Sequence, residues 1–252
     1  MNSHYEPYWT NYLSQFDLPT SEFQAIQSTT EKCCVIVEPR CHPLFSLVCK
    51  NFMYLLQHKG WGLIVYHGTV NENFVREALA GWPNVVFKNL GVDNLTFPMY
   101  NTLFTDQSFW SSMPCKHALI FQTDVVLFND TIDQFLEYDY VGAPWCFNHR
   151  VGNGGFSLRN VQTMIEILKK YNPDGSINED MVISILCYAL DKHLPTLQQA
   201  ACFSAETIYI SEPCGFHKPY LEKFPPGVYE HMMTKRIVPV NQTTPLQVQD
   251  GN

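Results

Sequence analysis

The chain alternates short apolar runs with longer stretches in which apolar residues recur every three or four positions. Residues 33–37 form a β-branched run closed by Glu38-Pro39-Arg40, which predicts a strand. Phe45, Val48, Cys49, Phe52 and Leu56 then share one helical face, and Gly60 ends that helix. Residues 63–66 predict a second strand, 71–80 a helix closed by Gly81 and Pro83, and 85–87 a third strand. This β-α-β-α-β order predicts a parallel sheet with right-handed crossovers. A helix over 103–112, a fourth strand over 118–121 and a short, sharply ended strand over 138–145 follow. Gly152-Asn153-Gly154-Gly155 is a turn, and Val161, Met164, Ile165 and Leu168 mark the next helix. After a turn at 172–175, Val182, Ile185, Leu186 and Ala189 mark the last one. Residues 1–30 carry no clear period and are expected to wrap the surface, and the end from Val240 is expected to be flexible.

Composition narrows the class. With 46% hydrophobic and 16% charged residues over 252 positions, the chain is globular and long enough for one large α/β domain. A net charge of −8 without a basic run argues against nucleic acid as a partner. Nine cysteines, an odd number with no C-x-x-C pair, sit largely in apolar runs. That is the pattern of reduced thiols in a cytoplasmic protein, not of a disulfide framework. The polar, aromatic start is unlike a signal peptide, and no run reaches the ~20 apolar residues of a membrane span. In that setting the Asn-x-Thr triplets at Asn94, Asn129 and Asn241 are chance matches.

The candidate chemistry begins at 118–128, where two apolar runs flank Gln122-Thr123-Asp124. A buried, unpartnered carboxylate is costly, so Asp124 is expected at the carboxyl end of the fourth strand. There it can hold a hard cation and, through it, a diphosphate; capping a turn is the plain alternative. Asn178-Glu179-Asp180 opens the last helix. Two acids in a first turn suit the helix dipole, but one of them facing a cleft can also act as a general base. The 152–155 turn needs glycine for its backbone, or lets a sugar approach closely. His217 and Lys218 stand side by side after Gly215, an imidazole for a metal next to a charge for phosphate. A surface or packed histidine is the simpler reading. Zinc at Cys214 and His217 lacks a second ligand pair at zinc-site spacing.

Taken in order, several blocks resemble a known family. They are Glu38-x-Arg40, Tyr100-Asn101, Phe121-Gln122-Thr123-Asp124, the segment 137–145 ending Gly-Ala-Pro-Trp, the segment 151–159 with Gly-Asn-Gly-Gly and Ser-Leu-Arg, Glu179-Asp180 and Gly215-Phe216-His217-Lys218. The chain from about Cys33 to Lys218 is similar to glycosyltransferase-like domains of bacteria, fungi and large DNA viruses. The resemblance implies an α/β fold, a single GT-A-like α/β/α sandwich with a mostly parallel, Rossmann-like sheet. It implies a nucleotide-sugar-binding half over 33–145, an acceptor and catalytic half over 146–220, and an extension over 221–252. The donor, expected as a uridine-diphosphate sugar from the resemblance alone, would contact Glu38, Arg40, His67, Tyr100, Gln122, Thr123, Asp124 and Lys218. Mn2+ or Mg2+ would bind Asp124 and His217, with Gln122 standing where the family's Asp-x-Asp element has its first acid. Asp180, preferred over Glu179, would be the base of an inverting transfer to a glycan or protein hydroxyl. Trp145, Asn153, Gly154 and Gly155 would face the sugars, with core packing the alternative for Trp145. A monomer or homodimer in the cytoplasm, or the host cytoplasm for a viral member, completes the expectation. A non-catalytic sugar-binding module and a nucleotidyltransferase are the rival readings. The latter lacks a glycine-rich basic loop after the first strand.

Overall fold

A computed structural model describes residues 6–18, 31–172, 174–210 and 212–236. The expected flexible end therefore lies outside the described residues. The alternation read from the sequence is present: β1 (Lys32–Val37), α2 (Phe45–Leu56), β2 (Gly62–His67), α3 (Glu72–Ala78) and β3 (Val85–Asn89) follow α1 (Glu6–Leu13). Next come α4 (Phe97–Thr105), α5 (Gln107–Ser111), β4 (His117–Phe121), β5 (Val125–Leu127), β6 (Tyr140–Gly142) and β7 (Phe156–Asn160). The chain closes with α6 (Val161–Leu168), α7 (Glu179–Ala189), α8 (Leu197–Phe203), β8 (Ser204–Ala205), β9 (Gly215–His217) and α9 (Val228–Thr234).

Six strands form the main sheet in the order β3-β2-β1-β4-β7-β6. β1 to β4 are mutually parallel, and β7 runs against both β4 and β6. Both faces are covered, which explains why β1 reads as an unbroken apolar run. Cys34 and Ile36 point into a core with α1, α2 and α9, while Cys33, Val35 and Val37 point into one with α4 to α7. In the first core Phe52 of α2 stacks on Phe121 of β4 with ring centroids 4.0 Å apart. Burying side chains of this size stabilises by about 1.5–3 kcal/mol each.

The helix read as the last, α7, is followed by two more, α8 and α9, and three other segments also differ from the sequence expectation. The N-terminal stretch is not a surface wrap over 6–16: Trp9, Tyr12, Leu13 and Phe16 are buried and pack with α2 and α9. The helix expected over 103–112 is two helices, because Asp106 is extended and its side chain accepts from Ser108 N, capping α5. The strand expected over 138–145 is regular only over Tyr140–Gly142, with one isolated bridge beyond it between Pro144 and Val151.

Sheet order sets the position of the site. From β1 the chain builds outward through β2 to β3, then returns to place β4 on the other side of β1. The carboxyl ends of β1 and β4 thus flank the point where strand order reverses, the place where open α/β sheets bind ligands. Glu38 follows β1 and Gln122 follows β4. Antiparallel β7 starts at Phe156 opposite Phe121, so Gly155 arrives at the same edge.

Candidate active site

A cleft of about 700 Å³ opens at this edge. Its walls bring together Glu38, Arg40, Tyr100, Gln122, Thr123, Asp124, Asn153, Gly155, Glu179, Asp180, His217 and Lys218, twelve of the residues singled out in the sequence. They come from β1, α4, β4, the 152–155 turn, α7 and β9.

The floor is built by a second, three-stranded sheet in the order β5-β9-β8. His217 ends its central strand, opposite Val125 of β5. Asp124 precedes β5, and its Oδ1 lies 3.5 Å from His217 Nε2. On the other ring nitrogen, Glu206 Oε1 lies 3.6 Å from Nδ1. Lys218 Nζ is 3.0 Å from Asp124 Oδ2. All three inner side chains are buried, yet among the described residues Asp124 Oδ1 and both nitrogens of His217 have no hydrogen-bond partner. Burial alone would raise the Asp124 carboxyl, but His217 and Lys218 outweigh it and hold the group well below the usual carboxylate range. Burial pushes Glu206 upward, with His217 opposing.

Gly155 brings the backbone against this cluster. A Cβ there would stand 2.4 Å from His217 Nε2 and 2.9 Å from Gln122 Oε1. Glycine here thus lets the backbone pack directly on the His217 ring, and Gly155, Gln122, Asp124 and His217 together border one hollow of the cleft. Gln122 is held in that pose by Nε2 donating to Tyr100 Oη at 2.8 Å. Asn153 and Lys218, which flank the hollow, have φ of 51° and 40°. Left-handed backbone at non-glycine residues is costly and concentrates at functional sites.

The upper wall is organised by a buried ion pair. Arg159 in β7 is fully buried and donates to Glu179 Oε2 and Oε1 at 2.8 and 3.0 Å. Its guanidinium also lies 5.2–5.5 Å from the ring centroids of Phe104, Trp110 and Tyr140. Burial and the anionic neighbour act in opposite directions on Arg159, and its pKa ends above the ordinary value. The acidic pair at the start of α7 thus divides. Glu179 borders the cleft, but both its oxygens are bound by Arg159. Asp180 is half-buried, and its Oδ2 accepts from Gly154 N at 3.1 Å. Asn101 fixes this corner, accepting from Glu179 N and donating to Gly175 O, each at 3.2 Å.

Three expected site residues are placed differently. A Cβ on Gly154 would stand 1.8 Å from Glu179 Oε1, so that glycine makes room for the ion pair, not for a sugar. Trp145 is buried against Gly152 and stacks on Phe147, outside the cleft walls. His67 is buried at the end of β2, bonded to Gly68 O, and also lies outside them. Two residues were missed. Glu206 has no local sequence signature. Asn71 is fully buried and ties Gly68 N to the carbonyls of Glu38 and Arg40. A wholly buried amide there holds the loop on which Arg40 grips Glu38 at 2.8 Å through both Nε and Nη2.

None of the nine cysteines is joined in a disulfide. Among the described residues no helix is long and apolar enough to cross a membrane, and no three His, Cys, Asp or Glu side chains form a complete metal cage.

The chain superposes on the glycosyltransferase GlyE of Streptococcus pneumoniae TIGR4 with a TM-score of 0.51 and 14% identity, over 82% of this chain and 61% of GlyE. It thus spans about 61% of that protein's length. Mouse xyloside xylosyltransferase 1 gives a TM-score of 0.49 at 10% identity, over 77% of this chain and all (100%) of that one. The galactosyltransferase LgtC, solved with donor and acceptor sugar analogs, gives 0.49 at 9%, over 83% and 98%. The likeness to GlyE defines the class of fold, the GT-A-type α/β sandwich of glycosyltransferases. The chain itself belongs to the family described as protein of unknown function (DUF5672), whose model matches residues 88–217. That match runs from β3 to β9 and contains both Asp124 and His217. No curated protein matches the sequence.

Proposed function

We propose that this chain is a glycosyltransferase that moves a sugar from a nucleoside-diphosphate donor, with uridine as the carrier, to an acceptor hydroxyl. The observation that carries the reading is the pair of buried, unpartnered ligand atoms, Asp124 Oδ1 and His217 Nε2, at the sheet's switch point. Their chemistry fits a divalent cation. A carboxylate oxygen and an imidazole nitrogen suit Mn2+ or Mg2+, and two protein ligands leave positions for phosphate oxygens and water. The cleft bordered by Gly155, Asp124 and His217 is large enough to take an ion and a diphosphate. Charge supports the same reading. The cleft carries Glu38, Asp124, Glu179, Asp180 and Glu206 against Arg40 and Lys218. A pyrophosphate entering such an acidic cleft needs a cation between itself and the walls.

When bound, the cation would offset the negative charge that builds on the departing diphosphate. Lys218 lies beside Asp124 and shares that task. Asp180 takes the proton of the acceptor hydroxyl as its oxygen bonds to the anomeric carbon. The bond from that carbon to the diphosphate breaks, and the nucleoside diphosphate leaves with the electron pair. One displacement of this kind inverts the anomeric centre. Glu179, bound at both oxygens by Arg159, holds the turn and the helix start instead of acting as the base.

Slow hydrolysis separates an enzyme from a binding module. With Mn2+ present, the purified protein is expected to release uridine diphosphate from at least one member of a panel of uridine-diphosphate sugars. Asp124→Ala is expected to abolish the release. Thermal stabilisation by a sugar nucleotide with no nucleotide released from any donor, with or without an acceptor, would overturn the enzymatic reading.

A further inference from the structure

The small sheet does more than carry His217. Its register delivers one side chain from each strand to a common line. β8 pairs with β9 in parallel, Ser204 opposite Gly215 and Ala205 opposite Phe216. The next residues in that register are Glu206 and His217. On the other flank, β5 pairs with β9 so that Val125 faces His217, and Asp124 immediately precedes it. The imidazole therefore sits between two carboxylates, with Nε2 toward Asp124 at 3.5 Å and Nδ1 toward Glu206 at 3.6 Å. Both separations are ion-pair distances and too long for a hydrogen bond. The ring stands poised between its neighbours, bonded to neither.

We propose that Glu206 is a positioning residue for His217, keeping the ring proton on Nδ1 so that the Nε2 lone pair faces the Gly155 hollow. This rests on the cation site proposed above. A ligating histidine needs its second nitrogen oriented by an acceptor, and a carboxylate in that role fixes tautomer and ring plane. Glu206 is the carboxylate on that side, and closing from 3.6 Å to hydrogen-bond distance would meet the requirement. It is buried, it lies on the Nδ1 side of the ring, and its backbone is fixed. Its own carbonyl accepts from Tyr220 N at 2.8 Å, and the next residue, Thr207, bonds Pro144 O and Cys146 N. Without this acceptor, the neutral ring gains more by placing its proton on Nε2 and donating to Asp124. That tautomer closes both cation ligands at once.

The test uses Glu206→Ala and Glu206→Gln in the full-length protein, with two readouts. The first is Mn2+ affinity in the presence of uridine diphosphate, from the electron paramagnetic resonance signal of free Mn2+. The second is the His217 tautomer, from 15N chemical shifts of the metal-free protein with the ring neutral. Glu206→Ala is expected to weaken Mn2+ about 10- to 100-fold and to move the proton to Nε2. Glu206→Gln is expected to retain the Nδ1–H tautomer and most of the affinity, because its amide oxygen still accepts. Unchanged affinity and tautomer in the alanine variant would overturn the assignment. So would a folded glutamine variant that loses more than tenfold, since charge rather than acceptor geometry would then be at work. Should the wild type bind no Mn2+, the proposed cation site fails, while the tautomer comparison still decides the role of Glu206.

Discussion

Asp180→Asn is expected to slow glycosyl transfer by about 100- to 10,000-fold while leaving donor affinity within a few-fold of wild type. The variant keeps the shape of the side chain and removes its ability to take a proton. Asp180 stands at the first turn of α7, where Oδ1 accepts from Met181 N at 2.8 Å and Oδ2 from Gly154 N at 3.1 Å. Those bonds aim the carboxylate but do not consume it, since each oxygen keeps further acceptor capacity. Single-turnover rates and nucleotide titrations measured side by side separate the two effects. Loss of donor binding equal to the loss of rate would make Asp180 a donor ligand. An unchanged rate would move the base elsewhere in the cleft.

Arg159→Ala is expected to lower stability by about 3–5 kcal/mol. The guanidinium is fully buried, and its removal leaves the Glu179 carboxylate buried without a counter-charge. It also leaves Ser157 Oγ without its donor, removes one of the two donors to Gly154 O, and empties the space between Phe104, Trp110 and Tyr140. Replacing both partners, Arg159→Met with Glu179→Leu, should recover much of the loss, because apolar groups of similar volume need no compensation. Urea denaturation with an unchanged m value would measure both. If the single variant costs under ~1 kcal/mol, the pair behaves like an exposed ion pair and does not hold the wall of the cleft.

Much of this was legible because the informative segments are long and periodic. Strands β1 and β2 with helix α2 show their period and punctuation over many residues. The edge position of Asp124 followed from the cost of burying a lone carboxylate inside an apolar strand. What stayed hidden depends on register between distant short segments. Strand β8 has two residues, too few for any pattern, so nothing local links Glu206 to His217. The divided roles of Glu179 and Asp180 depend on Arg159, which lies 20 residues earlier along the chain and arrives through the β4–β7 pairing. The α1 signal was present. Trp9, Tyr12, Leu13 and Phe16 follow the i, i+3, i+4, i+7 template, but the polar residues between them hide it. Trp145 was open to two readings, sugar platform or core packing, and it packs on Gly152.

The decisive observation is where manganese sits when the protein is crystallised with Mn2+ and uridine diphosphate. Anomalous scattering should give one peak in the hollow beside Gly155, within coordination distance of Asp124 Oδ1 and His217 Nε2, with the diphosphate on its open side. A peak at any other place in the cleft, or a nucleotide bound there with Asp124 and His217 untouched, would contradict the account.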